Sequence, residues 1–296
     1  MEISQLRSFL KIAEFRNFTR AAEACGVTQP ALSQQMARLE AEIGCPVFER
    51  QGRQVRLTEA GEMLHRRALS IVSLVEDTAR QVKDDGETGR LVVGAIPTIA
   101  PYYLPRVLAR FRAEVPRARV EVNELVTEAL IKQCQLGDLD VGVLALPVPV
   151  EHAHLELEPL FEEPLWLVLP STHRLAKGKK PVPIDEIRAE PFLLLDDAHC
   201  LSGHIRLYCQ SRKLAPVSTG RASQLATVQE MVAHGHGLSF VPEMARKVDA
   251  SPLRVHKQLD GQAPTRGIGV CWNPYRYQSK LSVRFLNLLR SEAGMD

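Results

Sequence analysis

The stretch DDAHCLSGHIRLYC, residues 196–209, carries the most reactive chemistry in the chain. Cys200 follows an apolar run, FLLLD, that reads as a strand, and it stands where the next helix should begin, beside His199. The free N–H groups of a helix start and a neighbouring imidazole both lower a thiol from its ordinary pKa of ~8.5 and favour thiolate. Asp196 and Asp197 would oppose this if they pointed inward. Cys209 lies one helix-length further on. In a helix the two cysteines are ~13 Å apart along the axis and on opposite faces, whereas a disulfide needs Cα atoms within ~7 Å. They can bond only if the segment unwinds, which would make it a two-state element. Among six cysteines a close pair arises readily by chance, so the setting carries more weight than the spacing.

Two threonines have the placement of ligand contacts. Thr98 follows a strand and opens a helix, and Thr127 stands at another strand-to-helix turn. Ligands of open α/β sheets bind beyond the C-terminal ends of the strands, against free helix N–H groups. The plainer alternative is that each threonine only caps its helix. Cys25, Cys45, Cys134 and Cys271 sit in apolar patterns and read as buried, inert thiols. There is no CxxC and no Cys/His group at zinc spacing, so neither a metal nor a cofactor is expected.

A different chemistry belongs to FTRAAEACGVTQPALSQQMARLE, residues 18–40. A helix-turn-helix needs a small residue where its helices cross, here Ala22, and a residue that tolerates positive φ in the turn, here Gly26. Thr28 can cap the second helix and reach phosphate, with Pro30 tolerated in its first turn. Gln29, Ser33 and Gln34 can reach base edges from the start of that helix. Arg50, Arg53 and Arg56 surround the tip of a small hairpin, as a phosphate-gripping wing requires. The alternative is a three-helix cluster with a polar face.

Around these residues the periodicities define three segments. Residues 1–58 read as short helices and a hairpin, with Leu6, Phe9, Leu10 and Ala13 on one face behind a Ser4 cap, and strands at 47–50 and 54–57 around Gly52. Thr58 caps a helix over about 59–85, whose stripe of Ala60, Leu64, Ala68, Ile71, Val75, Ala79 and Val82 predicts pairing with a second copy. Packing against its own chain is the alternative. DDGETG, completing 59–89, reads as a hinge. Residues 90–296 alternate strand and helix, which predicts an α/β domain with a mostly parallel sheet. Its two lobes are expected at 90–163 plus 267–296 and at 164–266, with chain crossings near 148–164 and 259–266.

A net charge of +2 in 296 residues argues neither for nor against nucleic acid. The start lacks a basic stretch followed by an apolar run, and no apolar segment approaches the ~20 residues of a membrane span. A cytoplasmic protein is therefore expected, with its cysteines reduced and no membrane partner.

The helix-turn-helix segment resembles the LysR-type transcriptional regulators. Ala21-Ala22, Thr28-Gln29-Pro30-Ala31-Leu32-Ser33, Leu39-Glu40 and Leu57-Thr58-Glu59-Ala60-Gly61 match that family's signature. The resemblance spans the chain: a winged helix-turn-helix, a linker helix and a two-lobed domain like type 2 periplasmic binding proteins, so that the fold class is α+β overall. It implies homodimers that pair into tetramers on promoter DNA, with RNA polymerase as partner. His199-Cys200-Leu201 with Cys209, and Ile96-Pro97-Thr98 with Pro101-Tyr102-Tyr103-Leu104-Pro105, resemble the hydrogen-peroxide-sensing branch of the family. That resemblance implies a peroxidatic Cys200 and a resolving Cys209, with Thr98, Thr127 and His199 positioning peroxide and Arg266 favouring thiolate at Cys200. Ser202-Gly203 replaces the branch's usual Arg-Asp, and Ala198 its usual Gly. The competing functions are a family member that senses a small organic anion between its lobes, and a thiol peroxidase with a DNA-binding appendage.

Overall fold

The first apolar stripe folds as α1 (Ile3–Phe15), in which Leu6, Phe9 and Ile12 are buried. Its N-cap is Glu2, not Ser4: Gln5 reaches back to accept from the Glu2 N–H at 2.7 Å, and Ser4 lies inside the first turn. The next helix, α2 (Phe18–Cys25), is capped by Asn17 and ended by Gly26 at φ 68°, a left-handed conformation that costs glycine little. Thr28 then caps α3 (Gln29–Ile43), which buries Leu32, Met36 and Leu39. The short strands β1 (Phe48–Gln51) and β2 (Gln54–Leu57) pair antiparallel. The structure describes residues 1–51, 54–148, 154–212, 217–261 and 263–294 of a computed structural model, so the turn at Gly52 and Arg53 lies outside the described residues.

The long helix α4 (Glu59–Lys83) completes the first of two compact units, Met1–Lys83. Thr58 caps it by accepting from the Gly61 N–H at 3.0 Å. The two expectations for its stripe divide along its length. Leu64, Ala68, Ile71 and Val72 pack into the core shared with α1, within the same chain. Leu74, Val75 and Val82 are exposed. Among the described helices none is long and apolar enough to cross a membrane.

The second unit, Asp84–Asp296, opens with DDGETG. That segment is tied down rather than loose. Asp84 accepts from Tyr277 Oη and from the Lys280 N–H, and Asp85 folds back on the Glu87 and Thr88 N–H groups. Then come β3 (Gly89–Ala95), α5 (Ala100–Glu114), β4 (Ala118–Glu124), α6 (Thr127–Leu136) and β5 (Val141–Leu146). β3 lies parallel between β4 and β5, and the helices cover it with Leu104, Val107, Phe111, Leu130 and Ile131.

The long strand β6 (Glu156–Pro170) carries the chain out of this lobe. The second lobe contains β7 (Pro191–Leu195), α7 (Cys200–Ser211), β8 (Val217–Ala222), α8 (Leu225–Ala233), β9 (Ser239–Pro242), α9 (Glu243–Val248) and β10 (Arg254–Lys257). The chain returns along β11 (Thr265–Trp272) and ends in α10 (Lys280–Ala293). The first part of β6 pairs with β11 and its last part with β9 and β10, so both crossings run side by side, joined by Leu165 N–H to Pro264 O at 2.8 Å. Each lobe has its own core. The expectation of a mostly parallel sheet is corrected here. β11 is antiparallel to both β5 and β6, and β6 to β9 and β10, because a chain that leaves a lobe and returns to it must run back beside itself.

Candidate functional site

Parallel register places the two threonines together at one edge of the first lobe. Ala95 of β3 is opposite Glu124 of β4, so Thr98 and Thr127 each stand three residues past paired positions. Neither is an N-cap: Ile99 caps α5 and Val126 caps α6. The plainer alternative for both therefore falls, and their hydroxyls are free for other partners. Thr98 Oγ1 accepts from Arg266 Nη1 at 2.8 Å, and its carbonyl from Nη2 at 3.0 Å. Thr127 Oγ1 is buried with no hydrogen-bond partner. A buried hydroxyl left unpaired costs about 1–3 kcal/mol.

Arg266 sits on the crossing strand β11, directly opposite Glu163 of β6. Its side chain is wholly buried and ion-paired to Glu163 at 2.6 Å, and Glu163 also accepts from the Met244 N–H at 3.1 Å. A buried guanidinium without its carboxylate would cost about 3–5 kcal/mol, so Glu163 is what allows a cation at this position. Glu163 was missed in the sequence, where it is one of many carboxylates; only cross-strand pairing marks it. Among the described residues, the hydrogen bonds of Arg266 go to Thr98, Glu163 and Met244 Sδ, and none to Cys200.

The second lobe presents the end of β7 and the start of α7 to the first lobe, against whose core Cys200 packs. His199 is the N-cap residue of α7, buried and without a side-chain capping bond, and Cys200 is its first helical residue. Cys200 is half-buried and packs against the core of the first lobe, although its helix belongs to the second. It therefore bridges the lobes at the positive end of a helix dipole. Asp197 pairs with Arg206 on the surface, and Asp196, half-buried, comes within 3.7 Å of His199 Nε2. Ser202, in place of arginine, is fully buried and donates to the Leu195 carbonyl at 2.7 Å, tying the helix to the end of β7. Gly203 faces open space.

Cys209 occupies the last full turn of α7, buried in the core of the second lobe, and burial pushes its thiol up to about 11. Both cysteines are free thiols in one intact helix. His204, one turn after Cys200, was not singled out in the sequence. Burial, then the Arg266 cation, lower its pKa, partly offset by a bond to the Pro147 carbonyl; its Nδ1 has no partner. The Arg266 guanidinium bound to Thr98 is thus close enough to His204 to disfavour its protonation.

In the first unit the exposed start of α3 carries Gln29, Pro30 and Gln34, with Ser33 half-buried. Gln29 Nε2 donates to Ser33 Oγ at 2.9 Å, so these two hold each other on one face. Thr28 Oγ1 accepts from the Ala31 N–H at 3.4 Å. Ala22 is buried where α2 meets α3, and the Gly26 N–H returns to its carbonyl. Arg50 lies in β1, but its side chain and all of Arg53 fall outside the described residues.

This architecture has known counterparts. Residues 3–62 match the family of bacterial regulatory helix-turn-helix proteins of the LysR type, and residues 84–294 match the LysR substrate-binding domain. The chain is 34% identical over 280 residues to the DNA-binding transcriptional dual regulator OxyR of Escherichia coli K12, covering 93% of this chain and 90% of that one. A cysteine-to-aspartate variant of full-length OxyR from Pseudomonas aeruginosa superposes with a TM-score of 0.75 at 28% identity, over 99% of this chain and 94% of the other. A cysteine-to-serine variant of Corynebacterium glutamicum OxyR, solved with hydrogen peroxide bound, gives 0.65 at 31% identity over 99% and 92%.

Proposed function

The chain belongs to the LysR family of transcription regulators, and on that premise we propose that it regulates promoters in response to hydrogen peroxide, sensed at Cys200. The observation that carries this reading is a half-buried thiol at a helix start, facing an edge where the buried Thr127 hydroxyl lacks a partner. The similarity to peroxide-binding OxyR supports it.

Peroxide enters between the lobes and takes hydrogen bonds from the Thr127 hydroxyl and His199, with Thr98 held in place by Arg266. The Cys200 thiolate attacks one oxygen, the O–O bond breaks, and the departing hydroxide takes a proton and leaves as water. Cys200 becomes a sulfenic acid. Cys209 reaches it only after α7 unwinds, and that same opening releases its thiol from the burial that holds it protonated. Its attack expels a second water and leaves a Cys200–Cys209 disulfide. The refolded segment alters how the sensor domains associate and so how α3 and its partner copy meet DNA.

The chain acts as a regulator and not as a peroxidase: one oxidation per subunit is the signal. Its partners are promoter DNA, read by Thr28, Gln29, Pro30, Ser33 and Gln34 with Arg50 and Arg53 on phosphate, RNA polymerase, and further copies of itself as a dimer of dimers in the cytoplasm. Sensing of an organic anion is the weaker reading. Arg266 is already neutralised by Glu163, and the cavity of about 490 Å³ beside the crossing is lined by Glu162, Glu163 and Glu243 against Arg106 and Lys247.

Peptide mass mapping after stoichiometric peroxide tests the proposal. A Cys200–Cys209 link is expected in wild type, with promoter response lost in Cys200→Ser. A Cys200→Ser protein that still responds to micromolar peroxide would refute it.

A further inference from the structure

Away from α7, in the core of the first lobe, two other thiols touch. Cys134, on α6, and Cys271, on β11, are fully buried with their sulfurs 3.7 Å apart. Cys271 lies directly opposite Gly142 across the β5–β11 pairing. A Cβ built on Gly142 would come within 2.7 Å of the Cys271 sulfur and 3.0 Å of the Cys134 sulfur, so the absent side chain is the slot that both sulfurs fill. The same two elements carry the candidate peroxide site. α6 begins at Thr127, two turns before Cys134, and β11 carries Arg266, on the same strand as Cys271.

We propose that Cys134 and Cys271 are a second dithiol–disulfide couple, a recessed oxidation site that reacts with sustained peroxide after Cys200 has responded. The oxidation balances with one hydrogen peroxide. One thiolate attacks a peroxide oxygen, giving a sulfenic acid and a hydroxide that is protonated to water. The other sulfur then attacks, and the sulfenic oxygen leaves as a second water. Two thiols lose two electrons and become one disulfide. In contrast to Cys200 and Cys209, the two sulfurs are already in contact and close from 3.7 Å to ~2.05 Å within the packed core.

The same packing makes the couple slow. The hydrogen bond with Cys134 and then burial push the Cys271 thiol well above its ordinary pKa, so little thiolate is present at neutral pH. Access is restricted to small neutral oxidants that pass through fluctuations of the core; a charged tripeptide disulfide is excluded by size. Once formed, the link pins α6 to β11 and with it the spacing of Thr127 from Arg266. The covalent step stands without the peroxide reading of Cys200, and only its effect on sensing rests on that reading.

The experiment uses full-length protein carrying Cys200→Ser and Cys209→Ser, so that a failure at Cys200 leaves this test intact. After prolonged hydrogen peroxide, free thiols are alkylated and the peptides mapped. A Cys134–Cys271 link is expected, forming at least ~100-fold more slowly than Cys200 reacts in wild type and ~5- to 10-fold faster at pH 8 than at pH 7. Adding Cys134→Ala should abolish it, and linked protein should exchange the amides of α6 more slowly. The proposal is overturned if Cys134 and Cys271 still alkylate separately once Cys25 and Cys45, which are half-buried and not buried as their apolar surroundings in sequence suggest, are over-oxidised. A link that forms only in protein without its helical circular dichroism, or as readily with glutathione disulfide as with peroxide, overturns it equally.

Discussion

Thr127 is a small residue with an opposed pair of effects on stability and function. Its hydroxyl is buried without a partner, which destabilises the resting fold, yet an unengaged donor and acceptor is what a peroxide molecule requires. Thr127→Val keeps the shape and removes the polar atom. We expect it to raise stability by ~1 kcal/mol in denaturant unfolding while slowing sulfenic-acid formation at Cys200; a variant both less stable and fully reactive would show that the hydroxyl serves packing instead. His204 provides a titration at the same scale. Its folded pKa lies below the ordinary imidazole value, so the unfolded chain takes up the proton first as pH falls. Stability is present above ~6.5 and is lost as pH falls through that value toward the lowered pKa. His256 has the same sign and remains in a variant. His204→Gln should therefore narrow, without abolishing, the difference in unfolding midpoint between pH 7.5 and 5.5. An unchanged difference would assign the acid sensitivity elsewhere.

At the scale of elements, α7 is the proposed switch. It holds Cys200 at one end against the first lobe and Cys209 at the other inside the second lobe, so no side-chain rotation can join them. Oxidised wild type should show faster amide exchange over residues 199–212 than the reduced protein. Cys209→Ser should retain the sulfenic acid, detectable by dimedone labelling, with reduced-like exchange in α7. If that variant opens its helix on oxidation, the sulfenic acid and not the disulfide drives the unwinding. Ser202 strengthens the resting state, since its buried bond to the Leu195 carbonyl must break when α7 opens.

At the scale of the molecule, the linker helix is the proposed surface on which copies meet. Ile71 packs into its own subunit's core, so a charge there reports on folding as much as on association. Val75 and Val82, 42% and 82% exposed, are the positions that separate the two. Val75→Asp with Val82→Asp should leave the melting of the first unit nearly unchanged, reduce self-association in sedimentation, and weaken operator binding, because a dimer reads two half-sites at once. Unchanged sedimentation would mean that copies meet through another surface.

Local chemistry was legible in the residues alone. The turn of the helix-turn-helix at Gly26, the caps at Thr28 and Thr58, the stripe of α3 and the start of α7 at Cys200 all follow from φ preferences, capping and short-range periodicity, and the structure agrees on each. Two local expectations give way: the cap of α1 is Glu2 and not Ser4, and the crossing strand β11 runs antiparallel to β5 and β6. What the residues could not disclose were facts of non-local pairing. Glu163 meets Arg266 because two strands cross between lobes far apart in sequence, and Cys134 meets Cys271 because a glycine on a third strand leaves room. Thr127 stands one residue past the N-cap position of α6, and the pKa of His204 is lowered because it is half-buried near a cation from the other crossing. Capping and turn preferences act over a few residues and are written in their order; burial, charge pairing and the unmet hydrogen bond depend on which distant segments the folded sheet brings together.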